Sequence, residues 1–420
     1  MIFKSIISGA SAILFFRIAG AISALFITLL ISNYYEVKIL GIYSVMVSIF
    51  LIYTLLSRFG FDIYTVKKVS VIKNDGNAVN SYFKLIGFSG LITSLITIMI
   101  FFLTKNVVSV SLFDDIEFDK YVLLFSLTIV FFTLYSIFLE VFLGYNYLML
   151  YSAFRNFLIN FVVLLLLTSN IFFALNIDPI KIYFYSIYIC FFVLVIFFAL
   201  RIPISYAIVS KQDALISIKK IFSESYHIFY SNGLIFVMAS LDLIMIGLLL
   251  SDVKAGIYSV CMRIGMLVLF VVKSINSFVA PHVALAHYNH QHNKIKEIYY
   301  NSLKVGVFFS LIFVVGISLF SEEILGLFGD EYMGATSTLI LVGVFYLMDA
   351  SFGPIEQIFN MTGRQKVLVY IMLCGFIINI ILNLVLIKGI GINGAAIGGL
   401  ISVAAWRFAS YKYLKLNNVL

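Results

Sequence analysis

"GIYSVMVSIFLIYTLLSRFGFDIY", residues 41–64, lies over "GIYSVCMRIGMLVLFVVKSINSFV", residues 256–279, at an offset of 215 residues. The chain has 420 residues and is 62% hydrophobic, so a five-letter identity alone carries little weight. The offset carries more, because it is close to half the chain. Under it Arg58 falls on Lys273, and one residue of slippage later Glu140 in "FLEVFLG" falls on Glu356 in "PIEQIFN". Self-similarity at a fixed period marks a duplicated architecture.

Working outward from the two copies, apolar runs of spanning length, about 17 to 25 residues, recur throughout. They lie near 9–31, 40–57, 83–103, 121–143, 154–175, 182–200, 226–250, 257–280, 304–320, 335–352, 367–387 and 394–411. Only 11% of residues are charged, against about 25% in a typical soluble domain. The expectation is an all-α polytopic membrane protein with twelve transmembrane helices. These form two parallel six-helix repeats around a central cavity, since each set of six starts on the same side. The predicted organisation is a six-helix bundle over 1–200, a cytoplasmic linker over 201–225 and a second bundle over 226–420.

Charge fixes an orientation. With both termini cytoplasmic, nineteen of the 28 Lys and Arg residues fall on the inner side and six on the outer, the bias expected of membrane proteins. The net charge of +8 then reports topology and contact with anionic lipid, and no nucleic-acid partner is needed. Lys4 precedes a run better read as the first span than as a signal peptide. The longest outer connection, "TKNVVSVSLFDDIEFDK" at 104–120, is too short for an independent domain. Cys190, Cys261 and Cys374 sit inside predicted spans as packing residues. His282, His287, His290 and His292, in "PHVALAHYNHQH", fall on a predicted inner loop without the ligand spacing of a metal site. No metal or cofactor is expected.

The second half holds, in order, "DLIMIGLLLSDVKAGIYSVCMRI" (242–264), "LFGDEYMGA" (327–335), "NMTGRQK" (360–366) and "LNLVLIKGIGINGAAIG" (382–398). With "LGIYSV…LLSRFG" in the first half, these segments resemble polysaccharide flippases of the multidrug/oligosaccharidyl-lipid/polysaccharide exporter superfamily. Cys261 stands where that family usually has Ala. Twelve spans are more similar to the Wzx-type O-antigen transporters than to the lipid II flippases. The resemblance implies no enzyme but a flippase, moving undecaprenyl-pyrophosphate-linked O-antigen units to the outer leaflet of a bacterial inner membrane by alternating access. The implied partners are that lipid-linked oligosaccharide, membrane lipids, and polymerase and chain-length components of lipopolysaccharide biosynthesis. A multidrug exporter of the same superfamily is the nearest rival. A membrane enzyme such as an O-antigen polymerase or ligase needs a larger outer loop.

A charge inside a span costs about 2.5–3.5 kcal/mol on insertion scales, so it faces protein or water. Arg17 lies some 12 Å deep. It is either a cavity cation that meets a pyrophosphate or an arginine tying together its own half. Arg263 lies about 9 Å from the outer side; its first-half equivalent is Ser48, so the repeat symmetry breaks there. With Lys273 and Arg58 it would form a ladder of substrate-binding cations; snorkelling to headgroups is the alternative for those two. Asp242 is either an ion-coupling carboxylate or the counter-ion of Arg263. Glu140 and Asp349, near inner helix ends, are further candidates for coupling. Asn379 and Asn383 share a helix face and bond to a neighbouring helix. The "GINGAAIGG" segment at 391–399 supplies small residues four apart for close helix contact.

Overall fold

In a computed structural model the described residues are 2–112, 115–202 and 211–420. They are helical throughout, with no strand among them, because a lipid-exposed backbone must satisfy its own N–H and C=O groups. The first unit takes residues 1–34 and 46–233, and the second takes 35–45 and 234–420. Helices run in the order α1 (Ile2–Tyr34), α2 (Val37–Arg58), α3 (Phe61–Ile72), α4 (Gly76–Leu112), α5 (Asp115–Gly144), α6 (Leu148–Ser152), α7 (Ile159–Phe172) and α8 (Pro179–Arg201). They continue with α9 (Lys211–Leu249), α10 (Asp252–Gly265), α11 (Phe270–Tyr288), α12 (His292–Leu319), α13 (Ser321–Gly326) and α14 (Asp330–Met333). The last four are α15 (Thr336–Ala350), α16 (Ile355–Met361), α17 (Gln365–Ile390) and α18 (Ile392–Leu416).

Among the described residues, 11 helical stretches are long and apolar enough to cross a membrane, and each overlaps one predicted span. The seventh predicted span falls in α9, whose residues Ser240–Leu249 form a shorter apolar stretch. This is a multi-pass membrane protein. Residues 211–225 of the predicted linker begin α9; residues 203–210 lie outside the described residues.

Three local expectations are corrected. Most of the 104–120 connection is helix, since α4 runs to Leu112 and α5 starts at Asp115. The histidine segment is also helical: His282 and His287 ride on α11, and only a short turn separates it from α12. Cys374 is exposed, whereas Cys190 and Cys261 are buried as expected. Neither segment contains glycine, and polarity alone does not end a helix.

Within the first unit, rings do much of the packing. Phe50 of α2 meets Phe125, Phe132 and Phe184 at centroid distances of 5.3–5.5 Å, and Phe101 stacks on Phe125 at 4.5 Å. Apolar helices in lipid gain little from burying apolar area, so such shape-matched contacts and small residues set the approach. The duplicated pentapeptide shows the second device. A Cβ on Gly41 would lie 1.8 Å from the Asp252 carbonyl oxygen, and one on Gly256 would lie 2.7 Å from that of Val37. The first glycine of each "GIYSV" is therefore a point where two backbones touch, inside the second unit.

Candidate functional site

The first unit builds its charged cluster from α2, α3, α5 and the turn between α6 and α7. That turn, Ala153–Leu158, is π-helical and carries Arg155 toward α5, where Arg155 Nη1 sits 3.2 Å from Glu140 Oε1. Tyr151 donates to the same oxygen at 3.4 Å. Arg58, only 9% exposed, donates through Nε to the Thr54 carbonyl at 3.2 Å and reaches Asp62 at 3.3 Å. Its guanidinium also lies 5.8 Å from the Phe132 ring centroid. Arg58 is thus held inside protein and does not snorkel. Glu140 is buried against an arginine that lies fifteen positions further on.

Arg17 stands apart from this cluster. It is half-buried on α1, and it makes no ion pair or hydrogen bond among the described residues. Three residues on, Gly20 is pressed against the π-helical turn: a Cβ there would lie 1.9 Å from the Asn156 carbonyl oxygen. Asn160 donates to the Gly20 carbonyl at 3.2 Å. Arg17 therefore stands one turn from the point at which α1 is clamped, on a helix whose position is fixed there.

In the second unit the eighth span is interrupted by a 3-10 turn at Met266–Leu269. A regular α-helix would place Lys273 about 280° round from Arg263, but the turn's four residues wind about 20° further each, which returns the two cations to about the same face. The tighter turn rises faster, so they stand about 17 Å apart along the axis. Both are exposed on this unit. Arg263 makes no ion pair or hydrogen bond among the described residues. Arg58, the other cation expected beside them, is buried in the first unit.

Asp242 does not pair with Arg263. Its Oδ1 accepts from Asn383 Nδ2 at 2.6 Å and its Oδ2 from the Tyr258 hydroxyl at 3.5 Å. Asn383 also donates to Asn379 Oδ1 at 3.2 Å, and Asn379 donates to Ser402 at 3.4 Å. These contacts bear out the expected cross-helix role of the two asparagines. On α18 a Cβ at Gly398 would lie 2.5 Å from Asn383 Oδ1, and one at Gly399 would lie 3.2 Å from Asp242 Oδ2. The small residues of "GINGAAIGG" thus let α18 come close to the amide and the carboxylate. Asn383 Oδ1 is buried without a hydrogen-bond partner among the described residues. A buried carboxylate, amide and hydroxyl oxygens and no cation make a donor set suited to a proton or a hard cation.

Asp349 and Glu356 flank a break in the tenth span. Gly353 takes φ 60° and Pro354 cannot continue the α15 hydrogen-bonding pattern, so the chain turns and restarts as α16. Both acids then reach one arginine. Arg407 Nη2 lies 2.6 Å from Asp349 and 2.9 Å from Glu356, its Nε donates to Asp349 at 2.7 Å, and its guanidinium sits 4.2 Å from the Trp406 ring centroid. Arg155 and Arg407 were both read from sequence as inner-side positive charge. Nothing in local sequence distinguishes a basic residue that snorkels from one that turns inward to a distant acid. Among the described residues no group of three His, Cys, Asp or Glu side chains could hold a metal ion.

Comparisons with known proteins agree with this architecture. The model of the polysaccharide biosynthesis protein family matches residues 3–285, and the MatE model matches residues 228–385. A curated relative, the probable low-salt glycan biosynthesis flippase Agl15 of Haloferax volcanii, is 26% identical over 168 residues, 39% of this chain and 35% of that one. The chain thus aligns with about a third of that relative's length. A solved structure of the lipid II flippase MurJ superposes with a TM-score of 0.77 at 15% identity, covering 98% of this chain and 89% of that one. An inward-facing MATE-family multidrug resistance transporter superposes at 0.73 with 14% identity, covering 97% and 98%. At such identities these two show the shared fold.

Proposed function

The chain belongs to the polysaccharide biosynthesis protein family, within the multidrug/oligosaccharidyl-lipid/polysaccharide exporter superfamily, and from that premise we propose that it is a flippase for lipid-linked oligosaccharide. The substrate proposed is an undecaprenyl-pyrophosphate-linked O-antigen unit, moved across a bacterial cytoplasmic membrane by alternating access with both termini inside. One observation carries the substrate class. No described acid neutralises the span cations Arg17, half-buried, and Arg263, exposed, whereas the acids Glu140 and Asp242 are buried. An accessible charge in a span needs water or an anion, and a pyrophosphate is a multivalent anion. A carrier of cationic drugs calls for the reverse arrangement.

Arg263 and Lys273 of the second unit, and separately Arg17 of the first, are the proposed contacts of the head group. Asp242, with Asn383 and Tyr258, is the proposed coupling site for a proton or a monovalent cation. The test is genetic. In a strain lacking the native gene, Arg17→Ala and Arg263→Ala variants should reach the membrane at normal levels while O-antigen display is lost. Lipid-linked units should accumulate on the inner leaflet with drug sensitivity unchanged. Full display in both variants, or a drug phenotype with intact surface polysaccharide, overturns the proposal.

A further inference from the structure

The histidine segment takes no part in the proposed transport site, and its structure is not that of a loose loop. The end of α11 and the start of α12 are nailed down by a buried cluster. Val283 and Ala286 of α11, Ile295 and Tyr299 of α12, and Ile355 and Phe359 of α16 belong to one core. The connecting turn is short and ordered: His290 takes φ 54°, and its N–H bonds to the His287 carbonyl at 3.0 Å. Next to it, the turn after α16 ends at Arg364, whose N–H bonds to the Phe359 carbonyl at 2.9 Å. Three histidines and an arginine are therefore presented by a rigid base.

The charges around this base are nearly all of one sign. Partial burial, and after it the charges of Arg364, His292 and His290, hold the His287 imidazole below the ordinary 6.5. Among the elements packed against α11, α12 adds Lys294, Lys296 and one acid, Glu297, and α16 adds Glu356, which is bound to Arg407. Lys366 opens α17. His290, His292, Lys294 and Lys366 are exposed, and His287 and Arg364 are half-buried. Such a surface is complementary in charge to phosphate groups.

We propose that the α11–α12 turn and Arg364 form a binding site for the phosphate of an anionic bilayer phospholipid, gated by protonation of His287. Burial first, and the neighbouring positive charges second, disfavour the charged His287 imidazole; a bound anion offsets both, so binding draws a proton onto it. The site is strongest where His287 is charged, and it weakens as pH rises through its range. This inference does not depend on the transport reading, because it concerns retained lipid rather than moved substrate.

The full-length protein in nanodiscs of mixed phosphatidylglycerol and phosphatidylcholine provides the test, with bound lipid counted by native mass spectrometry after release. At pH 5.5 the protein should retain phosphatidylglycerol over phosphatidylcholine, and the preference should shrink at pH 8. The triple variant His287→Gln, His290→Gln, His292→Gln should lose the pH dependence, and Arg364→Gln should reduce retention at both pH values. His290 and His292 are exposed and His287 and Arg364 half-buried, and unchanged thermal midpoints would establish that the variants fold. Equal retention and pH dependence in wild type and triple variant overturns the proposal. So does saturable binding of inorganic pyrophosphate with no preference among lipids, which would mark a soluble-anion site instead.

Discussion

The two units treat their buried acids differently. In the first, Glu140 has Arg155 and Asp62 has Arg58, one arginine for each carboxylate. In the second, Asp349 and Glu356 share Arg407, and Asp242 has only amide and hydroxyl partners. Glu140 and Glu356 are equivalent in the duplicated sequence, yet their arginines are not. The counterpart of Arg155 is Ile371 and that of Arg407 is Phe191. Each copy carries an acid at the matching position and has its cation on a different element. The charge demand is inherited from the duplication, while the way it is met is specific to each unit. The unneutralised acid lies in the second, and that is where the proposed coupling site is placed.

The largest effect that could break this comparison is loss of the shared arginine. Arg407 is 7% exposed, and Arg407→Met leaves two carboxylates without a cation in the bundle. Removing one partner of a buried pair costs about 3–5 kcal/mol in soluble proteins. The variant should therefore show a sharply lower yield or thermal midpoint in detergent. Adding Asp349→Asn and Glu356→Gln should restore most of the loss. A midpoint unchanged by Arg407→Met would show that the acids find water or another cation.

Asp242→Asn sharpens the contrast in function rather than stability. The amide oxygen still accepts from Asn383, and the amide NH2 can donate to the Tyr258 hydroxyl oxygen, so the thermal midpoint should stay close to wild type. Transport driven by an imposed proton or sodium gradient should fall to the level of passive exchange in proteoliposomes. Gradient-driven transport at the wild-type level would remove Asp242 from coupling.

The smallest effect is expected at Glu140→Gln. Its partner Arg155 has a side chain 40% exposed, so the guanidinium can turn to water when the carboxylate is removed. The cost should be about 1 kcal/mol or less, as for solvent-screened pairs, and the glutamine can still accept from Tyr151. A loss as large as that of Arg407→Met would contradict the assignment of a structural, half-solvated pair. Loss of gradient-driven transport with stability intact would move the coupling role to the first unit.

Much of the fold is legible in the sequence because bilayer thickness imposes it. Length and hydropathy fix a spanning helix without reference to any other part of the chain. The repeat adds the glycines at 41 and 256, whose identity follows from a backbone contact that no larger residue permits. The ion pairs are less legible, since Asp349 and Arg407 are 58 positions apart and their meeting depends on a break at Gly353 and Pro354. The Asp242 site is an intermediate case. Asn383 and the small residues of α18 are visible as a helix-packing pattern, but that Asp242 is held by Asn383 and Tyr258 appears only in three dimensions. The 3-10 turn after Gly265 has no evident signal in the sequence, and it alone brings Arg263 and Lys273 toward one face.

The central claim, that accessible span cations receive an anionic lipid-linked head group, is tested most directly in proteoliposomes. The measurement compares translocation of a short-tailed pyrophosphoryl glycolipid with that of the same glycolipid lacking the pyrophosphate. The account predicts that only the pyrophosphoryl form crosses, and that Arg17→Gln with Arg263→Gln abolishes its passage in protein that remains folded. Equal translocation of the two glycolipids, or full transport by the double variant, would contradict it.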